Sequence, residues 1–255
     1  MLYIAFFILG SLWGSFSNVC IYRLPNSGNV AKGRSFCPNC KNKIKWFDNI
    51  PFFSYLFLKG KCRQCAKPIS FQYLVVELLS AISFVIIFHL YGISITTLLL
   101  LILSIFFIII FFIDLKHFII PDVLNFTLIG LAIFKNFIPN FQSNFTYDFG
   151  QSIIGGLSGY LIIWFIIFLY KKFKNIEAMG FGDAKLMTGI GLFFGWQAVF
   201  FILFLSAILG LISVIPSLLN NSKNLKTQIP FGPYIVISSV IYYFTGNFLL
   251  NLIII

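Results

Sequence analysis

Only seven acidic residues occur among 255, and two of them, Asp114 and Asp183, stand at the ends of long apolar runs. An ionisable group at the edge of hydrocarbon costs roughly 2.5 to 3.5 kcal/mol to insert, so such a position points to chemistry. Two carboxylates brought close together cannot both ionise. One stays protonated while the other acts as a base, and the pair can activate a water and protonate a carbonyl oxygen. Asp114 ends the run FFIIIFFID, and Asp183 closes the sequence Gly180-Phe181-Gly182-Asp183. Gly180 and Gly182 permit close approach of backbone, from a partner helix or from an extended peptide. Asp183 is expected at a helix N-terminus, where the dipole favours its anion. The neighbours that would bind substrate or support the pair are Gly180, Gly182, Pro121, Asp122, Lys185 and Glu177. Pro121 and Asp122 open the next apolar run, Lys185 reads as an inside-facing anchor, and Glu177 lies in the loop that leads to the glycines. The bland alternative makes Asp183 an N-cap and Asp114 a snorkelling end residue.

The remaining acids call for less. Asp48 and Asp148 are expected to stay solvated, and Glu77 lies one turn inside the second apolar run. His117, three residues after Asp114, reads as an interfacial side chain, and His89 needs no role. A second centre of chemistry is carried by cysteine. Cys37 and Cys40 are spaced CxxC, and Cys62 and Cys65 repeat the spacing after a gap of 21 residues. Four thiolates in two tight turns suit tetrahedral zinc, and a closed four-cysteine site folds a small domain and does not itself catalyse. Cys20 is left over and reads as a small buried side chain.

These residues must be positioned by elements that sit in a membrane. Hydrophobic residues make up 59% of the chain and charged residues 10%, a balance no water-soluble domain tolerates. The expected fold is an all-α polytopic membrane protein. About eight spans are expected, near 2–18, 73–92, 95–113, 122–138, 151–170, 184–196, 197–217 and 231–254, the sixth short and tilted or fused with the seventh. The first run lacks a basic n-region and a small-residue cleavage site, so an uncleaved span is expected. Ten of the eighteen basic residues fall between Arg23 and Lys67, and only Lys135 is left for the outer side. The positive-inside rule therefore places 19–72, 114–121, 171–183 and 218–230 in the cytoplasm, where a reducing compartment argues against disulfides. The net charge of +11 is accounted for by a basic face beside the lipid bilayer, and no nucleic acid is expected as a partner. Three segments follow: a first transmembrane helix over 1–18, a small cytoplasmic zinc-ribbon-like domain over 19–72, and a membrane-embedded domain over 73–255 that holds both aspartates.

Five ordered blocks resemble one known family, the bacterial type IV prepilin peptidases, which are GxGD-type membrane aspartyl proteases and N-methyltransferases. The blocks are GSFSNVCIYRLP at 14–25, the CxxC pairs around DNIPFFSYLFLKGKC, FIDLKHFIIPD at 112–122, EAMGFGDAKL at 177–186 and IPFGPY at 229–234. The resemblance implies that Asp114 and Asp183 are the catalytic pair and that the four cysteines bind structural zinc. It implies cleavage of the basic leader from type IV prepilins and pseudopilins at the cytoplasmic face of the bacterial inner membrane. It further implies N-methylation of the new terminal residue with S-adenosylmethionine. Gln72, Tyr73 and Leu74 depart from the arginine, tyrosine and proline usual in that family. No glycine-rich nucleotide-binding loop is visible, so the methyl donor's site is not placed.

Other readings meet specific obstacles. Presenilin-like proteases pair GxGD with Tyr-Asp, and Tyr147-Asp148 is expected on the opposite side of the membrane. A proton-coupled transporter would need acids near the midplane and interrupted helices in paired halves. A zinc-dependent scaffold leaves the aspartates unexplained, and a peptidase without methylation is the nearest alternative.

Overall fold

The computed structural model describes residues 1–26, 28–30, 33–138, 141, 149–174, 179–219 and 229–253. Hydrocarbon offers no water to a backbone N–H or C=O, so each apolar run must satisfy its own backbone as a helix. A helix stands at each of the eight expected places: α1 Leu2–Arg23, α3 Gln72–Tyr91, α4 Ile95–His117, α5 Asp122–Lys135, α6 Phe149–Lys174, α7 Phe181–Phe194, α8 Trp196–Leu219 and α9 Gly232–Ile253. The short α2, Phe53–Phe57, lies in the polar loop. Among the described residues, α1, α3, α4, α6 and Trp196–Ile215 of α8 are long and apolar enough to cross a membrane. The chain is a multi-pass membrane protein. With 14 residues each, α5 and α7 reach only about 21 Å. The sixth run is not fused with the seventh. Gly195, with φ 81°, ends α7 and donates its N–H to Gly191 O, and α8 starts anew at Trp196.

The chain forms two compact units, Met1–Ile109 and Ile110–Ile255. In the first, α1 lies along α3 at a separation that only glycine allows. A Cβ on Gly10 would come 2.7 Å from Ala81 Cα, and one on Gly14 would come 2.7 Å from Glu77 Cα. Lipid tails are as apolar as leucine, so small residues four apart, and not hydrophobicity, bring such helices together. The loop that follows α1 holds two isolated antiparallel bridges, Phe36 with Lys43 and Lys61 with Pro68, and no strand among the described residues. Each bridge closes one CxxC turn. A full hairpin is replaced by these two knuckles, the 3-10 turn Trp46–Asn49 and α2.

In the second unit α7 is the central helix, packed by α5, α6, α8 and α9. Nine of its fourteen residues are buried. Gly191 of α7 meets Gly155 of α6 backbone to backbone, a Cβ on Gly159 would stand 2.6 Å from Met187 O, and one on Gly189 would stand 2.8 Å from Leu128 Cγ.

Three side chains have partners that the sequence did not show. Lys135, left to the outer side by the expected topology, is only 4% exposed. Its Nζ donates to Phe193 O at 2.7 Å and lies 5.3 Å from the Phe193 ring centroid. An orphan carbonyl at the C-terminus of α7 is a favourable partner for a cation. Asp48 is not freely solvated, because Arg63 pairs with both its oxygens at 2.6 to 3.0 Å. His89 does have a neighbour, the Tyr3 hydroxyl, 3.1 Å from Nδ1.

Candidate active site and metal centre

Asp114 sits in the last turn of α4, which Phe118 stops with φ 56°. The next residues fold back so that Ile120 is buried and Pro121 caps α5 ahead of Asp122. Pro121 thus stands one place before the helix and not within its first turn, and its carbonyl accepts from Leu124 N and Asn125 N. Asp114 is 4% exposed, and its Oδ2 accepts the N–H of Gly232, the first residue of α9, at 2.9 Å. That N–H has no partner within its own helix, so the carboxylate both satisfies it and faces the positive end of the dipole. A Cβ on Gly232 would fall 2.7 Å from Asp114 Oδ2 and 3.1 Å from Ile120 Cδ1.

Asp183 repeats the arrangement on α7. It is the third residue of that helix, 7% exposed, and its Oδ2 accepts the N–H of Gly180 at 3.2 Å. Gly180 has no side chain to return the bond, so only this half of a capping box exists. The Oδ1 of Asp183 is buried without a protein partner. Asp183 lies within electrostatic reach of Asp114, and Ile120 touches both surroundings, since a Cβ on Gly182 would stand 3.2 Å from Ile120 Cβ. Two helix N-termini therefore aim one N–H each at two buried carboxylates grouped around one isoleucine. Backbone N–H groups at helix N-termini can stabilise a negative charge there.

Of the supporting residues, Gly180 donates its N–H to Asp183, Gly182 packs on Ile120, and Pro121 and Asp122 follow Ile120 at the start of α5. Lys185 Nζ meets Asp122 Oδ1 at 2.6 Å and lies 5.5 Å from the Phe126 ring centroid, tying α7 to α5 at their N-terminal ends. Both partners are partly exposed, so this is a positional tie of small energetic value. Glu177 and Asp148 fall outside the described residues, and His117 is exposed. Sequence reasoning passed over Asn125. It is fully buried, gives Nδ2 to Gly182 O at 3.4 Å, and keeps an Oδ1 without a partner. The signal available was an amide three residues past Asp122 inside an otherwise apolar run.

The four cysteines form one cluster in the first unit. Their Sγ atoms all lie within 4.8 Å of one another, with Cys37 and Cys65 at 3.9 Å. Zinc–sulfur bonds of about 2.3 Å in a tetrahedron need edges near 3.8 Å, so the thiolates fit zinc with small closure. The N–H groups of Cys65 and Gln64 point at Cys62 and lower its thiol to about 7, the state a metal ligand needs.

The chain is similar to known proteins over nearly its whole length. Residues 8–91 match the model of the bacterial peptidase A24 N-terminal domain, and residues 101–215 match that of the type IV leader peptidase family. The chain is 38% identical over 253 residues to a prepilin leader peptidase/N-methyltransferase of Vibrio cholerae, covering 95% of this chain and 96% of the relative. It is 34% identical to the protein of that name in Aeromonas hydrophila, covering 94% and 90%. It is 32% identical to that of Pseudomonas aeruginosa, covering 94% and 89%. No solved structure matches the chain.

Proposed function

The chain belongs to the type IV leader peptidase family, and from that premise we propose a residue-level account of two reactions, leader cleavage and N-methylation. The substrates are type IV prepilins and pseudopilins, whose apolar helix stays in the bilayer while the leader emerges at the cytoplasmic face of the inner membrane. The basic loop between Arg23 and Lys67 supports that orientation. Residues 19–72 serve as the zinc-binding domain and 73–255 as the peptidase domain.

In the first reaction Asp114 and Asp183 hydrolyse the peptide bond at the end of the leader. The ionised member of the pair takes a proton from water, and the protonated member donates to the scissile carbonyl oxygen. The observation that carries this reading is the pair itself: two buried carboxylates, each held through Oδ2 by the first free N–H of a helix, with Oδ1 of Asp183 unengaged. Gly180 leaves room beside Asp183 for an extended substrate backbone, and Gly182 lets Ile120 approach closely. Lys185 and Asp122 hold the ends of α7 and α5 in register. The four cysteines take zinc, which holds their loop folded. S-adenosylmethionine supplies the methyl group placed on the new terminal amine.

The test uses purified Asp114→Asn and Asp183→Asn variants in detergent with a prepilin substrate followed by mass. Each variant should insert and keep its zinc while leaving the leader attached. Leader removal by either variant at the native rate would overturn the assignment. Wild-type product lacking the methyl group would remove the second reaction and leave the first.

A further inference from the structure

The cysteine-bearing loop is not polar throughout. Between Lys45 and Lys59 it reads WFDNIPFFSYLFL, with Asp48 as its one charge. An apolar stretch of this length is too short to cross a bilayer but long enough to enter one. Several of its apolar side chains are exposed. Phe53, Leu56 and Phe57 are 61%, 66% and 82% exposed, and their spacing of i, i+3 and i+4 on α2 gathers them on one outward face.

Two contacts set this segment beside the helices of the first unit and not beyond their ends. The Phe52 ring stacks on that of Phe7, with centroids 5.6 Å apart. Phe7 lies about 24 Å along α1 from Arg23, where the loop begins. The reach of two phenylalanine side chains and their stacking distance is less than that. Phe52 N also donates to Glu77 Oε2 at 3.0 Å, and Glu77 stands more than one turn inside α3, on the face that meets Gly14 of α1. Both helices are long and apolar enough to cross a membrane, so a loop confined to the water beyond them would reach neither contact.

The backbone of the segment is prepared for hydrocarbon, where a non-helical N–H must find its acceptor within the protein. Ile50 N donates to Ser54 Oγ at 3.0 Å, and Ser54 Oγ donates to Phe47 O at 2.9 Å. Phe53 N turns back on Pro51 O, Ser54 N on Ile50 O and Leu56 N on Phe52 O, while Pro51 has no N–H to satisfy. Phe52 is held at φ 59°, which sends its N–H out of the segment. Glu77 supplies the acceptor that water supplies to an aqueous loop. Cations frame the stretch: Lys43, Lys45, Lys59 and Lys61 are exposed on either side, and Lys45 Nζ and the Arg63 guanidinium lie 5.6 and 5.5 Å from the Phe47 ring centroid.

We propose that residues 46–58 form a re-entrant segment that dips into the bilayer and returns, with Phe53, Leu56 and Phe57 against lipid acyl chains and the flanking lysines on anionic headgroups. Lipid is the occupant of this face because the face continues, through the Phe52–Phe7 stack, onto the exposed Phe7 and Ile4 of a spanning helix. The segment anchors both cysteine knuckles to the membrane and divides what the sequence suggested was a wholly cytoplasmic domain. It holds whichever reaction the chain performs.

The test places p-benzoylphenylalanine at Phe57 of the full, zinc-loaded chain in vesicles of phosphatidylcholine and phosphatidylglycerol, and reads cross-linked peptides by mass. Irradiation should join phospholipid to the peptide that holds position 57, in a yield within about twofold of that at Phe7 and about tenfold above that at Lys41, as acyl-chain contact requires. Glu77→Leu leaves Phe52 N without an acceptor and should cut the lipid adduct at 57 by about fivefold, while Glu77→Gln keeps one and should preserve it. Lipid adduct at 57 no higher than at Lys41, or cross-links confined to a second copy of the chain or to an added prepilin, would overturn the assignment. Equal adducts in Glu77→Leu and wild type would overturn the backbone arrangement on which it is built.

Discussion

At the scale of single residues, the arrangement around Asp114 and Asp183 makes demands that differ by atom. Asp114→Asn and Asp183→Asn remove the ability to share a proton while keeping shape and an acceptor oxygen. Each should lower the cleavage rate by about 10³-fold or more, as expected when one member of an acid–base pair is lost, with detergent melting temperature little changed. Gly232→Ala tests the approach of α9. Its methyl group would stand 2.7 Å from Asp114 Oδ2, so either the hydrogen bond from Gly232 N or the carboxylate must shift. Displacements on the order of 1 Å cost about 10²-fold in rate, and single-turnover cleavage should fall by about that factor without loss of zinc. Both aspartates and all four cysteines were legible in the sequence because acids and paired thiols are rare in an apolar chain and their spacing carries chemical meaning. Asn125 and the exact partner of Asp114 were not. Which N–H reaches a carboxylate depends on the helix packed against it, and Gly232 lies 118 residues away in the chain.

At the scale of helices, the eight apolar runs could be read because hydrocarbon leaves the backbone no alternative to helix. What could not be read was their pairing, since an apolar run faces lipid or protein equally well. The contacts lie at glycines: Gly10 and Gly14 on α1, Gly155 and Gly159 on α6, Gly189 and Gly191 on α7. Lys135 is a related case. The expected topology left it to the outer side, and its burial against the carbonyl that ends α7 is set by tertiary packing that the sequence does not show. Gly191→Ala should separate α6 from α7, because the added methyl group would fall on the Gly155 backbone. Overpacking of this kind costs roughly 1 to 3 kcal/mol. The variant should melt at lower temperature in detergent and cleave more slowly, since α7 carries Asp183. Gly130→Ala is the matched control. Nothing lies within 4 Å of its Cβ, and helix propensity should stabilise it by up to about 1 kcal/mol. Equal melting of the two variants would show that close glycine contact does not hold α6 to α7.

At the scale of the molecule, the two units divide the chemistry as the chain divides its residues. All four thiolates lie before Ile109, while Asp114, Ile120, Asn125, Gly182, Asp183 and Gly232 lie after it. The polar loop has two isolated bridges, a 3-10 turn and a five-residue helix, too little buried surface to fold without a staple. Zinc binding is therefore folding free energy for that loop, and removing the metal should unfold it. Treatment with a strong chelator should make 33–70 sensitive to protease and release about one zinc per chain. Methylation should fall with the metal, the outcome expected if the unit outside the leader peptidase match at 101–215 carries that reaction. Leader cleavage should survive in the same sample, because Asp114, Asp183 and the N–H groups that bond them all belong to the second unit. Cys37→Ser should reproduce the split without chelator. Product mass reports both reactions at once, as loss of the leader and gain of a methyl group. If cleavage falls in step with zinc, the loop must be delivering substrate to the aspartates, and the separation of the two reactions argued from these units would be wrong.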